Sequence, residues 1–328
     1  MRGARLVSRR LLGVVPVLAI VIVGTFFLLE ASSGDAVDAY LVSTGGDRGL
    51  ADQLRRDWGL DRSAWARLAL FVSSLARFDL GWSVAFSRPV VEVVLERLPN
   101  TLLLMGTAIA LAFGAGSILG IVAANRPGSA VDRALSLGSL AIYAIPGFWL
   151  GLVLIVVFAV QLRLLPSGGI ETIASGKQGL ERAGDIARHL VLPVAALGMV
   201  YLALYLRMMR AGMIETWRHD FVRAALARGL PRRQVVWRHI ARNALLPLVT
   251  MLGLQAASML GGSVVIESVF AVPGLGRLAH EAVAQRDTPL LLGVILVGAV
   301  VVIAANLAVD LLYAWLDPRV GAGPETAA

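Results

Sequence analysis

Leu290-Leu-Leu-Gly-Val-Ile-Leu-Val-Gly-Ala-Val-Val-Val-Ile-Ala-Ala-Asn306-Leu-Ala-Val-Asp310-Leu-Leu-Tyr313 runs for 24 residues with a single side chain charged at neutral pH, Asp310. About 20 helical residues cross a bilayer core of about 30 Å, and a charge at its centre costs roughly 2.5–3.5 kcal/mol. The stretch therefore reads as a transmembrane helix. Working outward from it, five more stretches qualify: 11–29, 101–124, 134–162, 190–209 and 245–265. Composition agrees, with 57% hydrophobic and 16% charged residues and a mean hydropathy of +0.75, where a soluble domain carries about 25% charged residues. The expected fold class is all-α: a polytopic membrane protein of about six transmembrane helices. A soluble globular enzyme is the weaker reading.

Arginine sets the orientation. The tail 1–10 carries four arginines and no acid, the loop 125–133 carries Arg126 and Arg133 against Asp132, and 208–244 carries eight arginines against Glu215 and Asp220. If the spans alternate, these three segments share a side, and the positive-inside bias makes that side cytoplasmic. Both termini are then cytoplasmic, with a tail at 317–328. The first span follows basic residues as a signal peptide would, yet its apolar run is longer than an ordinary signal core, so it is expected to be retained. The opposite side receives 30–99, 163–189 and 267–289. Within 30–99, Trp65, Leu68, Val72, Leu75 and Phe78 recur at helical spacing, an amphipathic helix. It would lie on the membrane surface or the bundle, or else meet an external partner.

Absences narrow the chemistry. The only lysine, Lys177, is followed by Gln178, with Glu171 where a phosphate-binding loop needs its first glycine, so this chain has no such loop for ATP. There is no cysteine; the four histidines lack metal-ligand spacing, and no nucleophile elbow occurs. No catalytic residue, cofactor or metal is expected. The net charge of +8 raises nucleic acid, but Phe221 and Trp237 are too few aromatics among the arginines for base stacking. Gly116–Gly120 and Gly147–Gly151 repeat the small-residue spacing that lets helices approach in lipid.

The cytoplasmic loop holds more than charge. In His219-Asp-Phe-Val-Arg-Ala-Ala-Leu-Ala-Arg-Gly229-Leu-Pro231, Asp220 suits an N-cap, Gly229 suits the left-handed residue past a helix end, and Pro231 forbids continuation. A helix of about two and a half turns with a sharp stop follows, then a second basic helix over about 232–243. Ala224, Ala225 and Ala227 keep the short helix thin enough to enter a groove on another protein. Topology alone accounts for the arginines, though not for this combination.

These residues resemble the cytoplasmic signature loop of membrane subunits of ATP-binding cassette importers, whose core is Glu-Ala-Ala, three further residues and a glycine. Ala224, Ala225 and Gly229 match; Arg223 stands in place of Glu, and the interval from Gly229 to Pro247 is about five residues longer than the general pattern. Both departures resemble the dipeptide/oligopeptide/nickel branch. This chain reads Phe221-Val-Arg-Ala-Ala-Leu-Ala-Arg-Gly-Leu230 and Arg238-His-Ile-Ala-Arg-Asn-Ala-Leu-Leu-Pro247 where that branch has similar runs. Further matches run from Asp79-Leu-Gly-Trp-Ser83 and Arg97-Leu-Pro-Asn-Thr101 to Glu267-Ser-Val-Phe-Ala-Val-Pro-Gly-Leu-Gly276, Arg286-Asp287 and Asp317-Pro-Arg319. Their order is similar to the first of two permease subunits.

The resemblance implies a non-catalytic permease subunit in the inner membrane, carrying peptides or related solutes inward. Its implied partners are a second homologous permease subunit, one or two ATPase subunits that bind the ATP and magnesium, an external solute-binding protein, and membrane lipid. A five-helix core over 100–316 would couple to the ATPase through Asp220, Phe221, Ala224, Ala225, Arg228, Gly229 and Pro231. An ion-coupled secondary transporter is the alternative. It needs charge pairs within the spans, for which Asp310 alone is a candidate. Glu267, Asn306 and Asp310 are candidates for the translocation pathway, although Asp310 equally suits an interhelical role and Glu267 an external plug or partner contact.

Overall fold

The computed structural model describes residues 16–27, 62–77 and 79–316, without the side chains of Ala256, Asp310 and 312–316. The expected tails 1–10 and 317–328, the ends of the first span, the external segment up to 61, and Phe78 lie outside the described residues. The helices are α1 Pro16–Phe27, α2 Ala64–Leu75, α3 Val90–Asn125, α4 Ala130–Ala144, α5 Gly147–Leu154, α6 Gly179–Thr216, α7 Asp220–Ala227, α8 Ala241–Val269, α9 Leu275–Ala284 and α10 Thr288–Leu316. Trp82–Ser83 and Arg88–Pro89 form a two-residue antiparallel pair before α3. Three described helices are long and apolar enough to span a membrane, and two bent pairs bring the number to five if each pair is one span. The all-α, polytopic reading holds.

The chain divides into two units, Met1–Thr101 with Pro273–Ile303, and Leu102–Val272 with Ala304–Ala328. In the first, α2 begins at Ser63, whose hydroxyl accepts from the Ala66 amide, and turns Leu68 against Phe26 and Leu292. This is the amphipathic helix read from the sequence, with Trp65 and Val72 on its exposed side. Asp287 joins distant segments of this unit. Its carboxylate accepts from the Ser83 hydroxyl at 2.6 Å, the Ala85 amide at 3.0 Å and the Leu290 amide at 3.1 Å. Asn100 donates to the Pro273 carbonyl and Thr101 accepts from the Leu275 amide, which fixes the start of α9. The motifs around Asp79–Ser83, Asn100–Thr101 and Arg286–Asp287 are thus hydrogen-bonding joints.

In the second unit, α3 and α6 approach backbone to backbone. A Cβ on Gly116 would come within 2.8 Å of the Leu202 carbonyl, and one on Gly120 within 2.6 Å of the Met209 Cβ. Only glycine permits that approach, so the first small-residue pattern is a packing device. The expected span 134–162 is broken. Ile145 is extended, as residues before proline are, and Pro146 opens α5 at 102° to α4. Pro193 and Pro247 remain inside α6 and α8. The second basic helix expected over 232–243 is not separate either. Arg232–Gln234 runs through a π-helical turn, Val235–Ile240, into α8.

Candidate coupling surface

α6 ends at Thr216, whose hydroxyl bonds back to the Gly212 carbonyl at 2.7 Å. After the turn Trp217–His219 the chain enters α7, eight residues long. A helix this short is not stable alone, so packing must hold it. Val222 and Ala225, one turn apart, are each 1% exposed and pack among Met213, Val235, Ile240 and Ala244. Burying these two apolar side chains contributes about 2–3 kcal/mol.

The stop is local. The Gly229 amide donates to the Leu226 carbonyl at 2.9 Å and the Leu230 amide to the Ala225 carbonyl at 3.3 Å. This is the Schellman arrangement, which requires a left-handed residue, and Gly229 has φ +80°. Pro231 caps the next turn. Arg232 stacks 5.3 Å over the Trp217 ring and donates to the Asn125 carbonyl at 3.1 Å. Arg210 donates both Nε and Nη2 to the buried carboxylate of Asp132, at 2.5 and 2.8 Å. The loop 125–133 and the loop after α6 therefore lie at one end of this unit, as the arginine count required.

Two assignments change. Asp220 is the first helical residue rather than the N-cap. His219 holds the cap position without a side-chain bond, and Asp220 pairs with Arg223 at 3.7 Å in the first turn. Its charge still suits the positive end of the helix dipole. Ala225 does not belong to the presented face. Its methyl points into the bundle, so its small size allows α7 to pack closely on its own chain. The presented face holds Asp220, Phe221, Ala224, Ala227 and Arg228, with the Phe221 ring stacked on His219. A depression of about 260 Å³ lies beside it, lined by Glu215, Thr216, His219, Phe221, Asn243 and Pro247 among others.

The three pathway candidates are not brought together. Glu267 is wholly buried within α8. Asn306 lies against Gly253, where a Cβ would meet its Oδ1 at 2.9 Å. Glu267 stands about four turns further along that helix, about 20 Å of rise. Asp310 falls in α10, and its side chain is outside the described residues. Sequence reading missed Val222, Leu230, Trp217, Arg210 and Asp132. The first two had a signal, apolar spacing across the glycine stop. The Asp132–Arg210 pair had none, since its members are 78 residues apart.

The family model for the inner-membrane component of binding-protein-dependent transport systems matches residues 116–322, a range that contains α7 and its stop. The chain belongs to this family. It is a permease subunit of an ATP-binding cassette importer, a multi-pass membrane protein of a transport system with further subunits. The permease is 35% identical to the oligopeptide transport system permease protein AppB of Bacillus subtilis over 97% of this chain and 99% of that relative. It is also 35% identical to the di/tripeptide transport system permease protein DppB of Pseudomonas aeruginosa, over 96% and 98%. A putative peptide permease of Brucella suis reaches 37% over 95% and 97%. Among solved structures, an inward-facing MetNI methionine ABC transporter chain aligns at a TM-score of 0.55 and 18% identity, over 69% of the permease and 97% of that chain. At that identity the match speaks for the fold.

Proposed function

We propose that this permease carries di- or oligopeptides or related small solutes inward across the cytoplasmic membrane. It does so as one half of a pair with a homologous permease subunit. The reading of its cargo rests on the peptide permeases that match it over nearly their whole length. Asp220, Phe221, Ala224, Arg228, Gly229 and Pro231 form the contact with a separate ATPase subunit, which binds the ATP and magnesium; this chain has no catalytic role. Ala225 acts from behind by seating the helix. The observation that carries this is the construction of α7: two buried anchors, a glycine stop, and every other side chain of its eight residues exposed. A helix with so little of its own packing transmits force only when a second protein grips its outer face.

In this reading, closure of the ATPase pair moves α7, and α6 carries that motion into the bundle. A bistable bundle then alternates between inward-open and outward-open states that bind the partners differently. The α7 end is cytoplasmic, as are both termini, and a solute-binding protein delivers cargo from the other side. The test is co-purification of the tagged permease with an ATPase bearing a phosphate-binding loop, followed by uptake of labelled di- and oligopeptides in liposomes. Stable recovery without any ATPase, with uptake driven by an ion gradient, would replace this reading with the ion-coupled one.

A further inference from the structure

At the end of α6 remote from α7, the segment 162–178 is held on several sides. The Asp185 carboxylate, 8% exposed, accepts from the Thr172 amide at 2.6 Å, the Thr172 hydroxyl at 3.0 Å and Lys177 Nζ at 2.5 Å. Arg182 pairs with Glu171 through two bonds, at 2.5 and 3.1 Å, and Arg188 donates to the Leu164 carbonyl. The bond from Arg182 lowers the Glu171 carboxyl from its ordinary pKa. Gly169 donates to the Phe270 carbonyl at 2.8 Å, and Gly168 rests on the same carbonyl with no room for a Cβ.

From this fixed frame two aliphatic side chains project, Ile173 at 93% and Leu180 at 92% exposure. They are the most exposed large apolar residues among those described. They are interspersed in sequence with the residues of a shallow polar depression of about 350 Å³ that includes Thr172, Ser175, Lys177 and Arg182. The charges around them are largely paired within the chain, so the knobs themselves are the unsatisfied feature.

Lipid is not what covers them. α6 has 38 residues, about 57 Å at 1.5 Å per residue. Even tilted by about 20° it covers about 53 Å, against about 40–45 Å for a bilayer with its headgroups. Its apolar stretch 190–209 fills the hydrocarbon core, so residues 179–189 run about 16 Å beyond that core and past about 5–8 Å of headgroups, which leaves the tip roughly 10 Å clear on the side away from α7. A partner within the membrane would meet the flanks of the bundle; this tip is reached from the aqueous side. A rigid frame also lowers the ordering cost of a contact.

We infer that the segment 171–182 is a preformed docking knob for the external solute-binding protein, with Ile173 and Leu180 as its apolar anchors. This rests on the import reading, in which that protein is the soluble partner on this side.

The assembled transporter, with both permease subunits and the ATPases, is placed in nanodiscs. Its solute-binding protein is titrated onto it with and without tri-alanine. The double variant Ile173→Ser/Leu180→Ser, changed only at exposed positions, is expected to bind that protein about 10-fold more weakly or worse. Assembly and the ATPase rate without binding protein should match the unaltered transporter. Undiminished binding by the variant overturns the inference. So does loss of subunit assembly, which would make the knob a subunit contact, and so does altered nanodisc incorporation, which would make it a lipid contact. If instead the unaltered transporter recruits neither an ATPase nor a binding protein, the import reading itself fails.

Discussion

At its C-terminal end α6 hands over to α7, an eight-residue helix seated by Val222 and Ala225 and closed by two backbone bonds around Gly229. At its N-terminal end the same helix meets a segment tied down by Asp185, Glu171, Arg188 and the Phe270 carbonyl. The first end is shaped by short-range rules and leaves most of its side chains exposed. The second is cross-linked and leaves two apolar side chains standing on a rigid base. A part that is moved by a partner needs few ties to its own bundle, whereas a part that receives a partner gains from being preformed. The contrast suits a helix gripped at one end and docked upon at the other.

Substitutions can break that contrast in order of severity. Arg210→Ala should have the largest effect on the α7 end, because it strands the buried Asp132 carboxylate. A loss of about 2–3 kcal/mol is expected, at or below the usual range for a broken buried pair because Arg210 is itself 31% exposed. Thermal unfolding in detergent should report it, and an unchanged midpoint would mean the pair is not formed. Gly168→Val should follow. The new side chain would push the segment off Phe270 at a cost of about 1–3 kcal/mol, and should speed proteolytic cutting near 168–178 while leaving ATPase recovery intact.

Gly229→Val comes next, at about 1–2 kcal/mol, because a β-branched residue must take φ +80° although nothing crowds its Cβ. Its expected signature is continued ATP hydrolysis with uptake reduced at least several-fold; unimpaired, substrate-stimulated uptake would count against α7 as the coupling element. The smallest effect belongs to Asp220→Asn. Removing one exposed charge from the first turn of a short helix should cost about 0.3–1 kcal/mol, and uptake should fall by less than about fivefold. A larger loss would show that the charge of Asp220, and not only its place on the outer face, holds the ATPase contact. Ala225→Asp does not separate coupling from folding, since that methyl is buried.

Much of the α7 end was legible because its determinants are neighbours in the chain: an acid in the first turn, small residues, Gly229 and Pro231. Even there two readings needed three dimensions. Which alanine faces the bundle depends on where Val235 and Ile240 lie. Whether Asp220 or His219 is the cap depends on one residue of helical phase. The break at Pro146 was ambiguous for another reason: proline alone does not say whether a lipid-buried helix bends or continues, and α6 continues through Pro193.

What the sequence determined by itself is whatever depends on composition, period and nearest neighbours: an all-α membrane protein, the shared side of its arginine-rich loops, and a short helix with a glycine stop. Only the tertiary structure decided how Asp132 meets Arg210, how Asp185 anchors the segment that carries Ile173, and which face of α7 is left for a partner. Each of these depends on packing between residues that the chain alone does not bring together. Hydrophobic runs show that helices will cross a membrane, but not which polar side chains will face one another once they do.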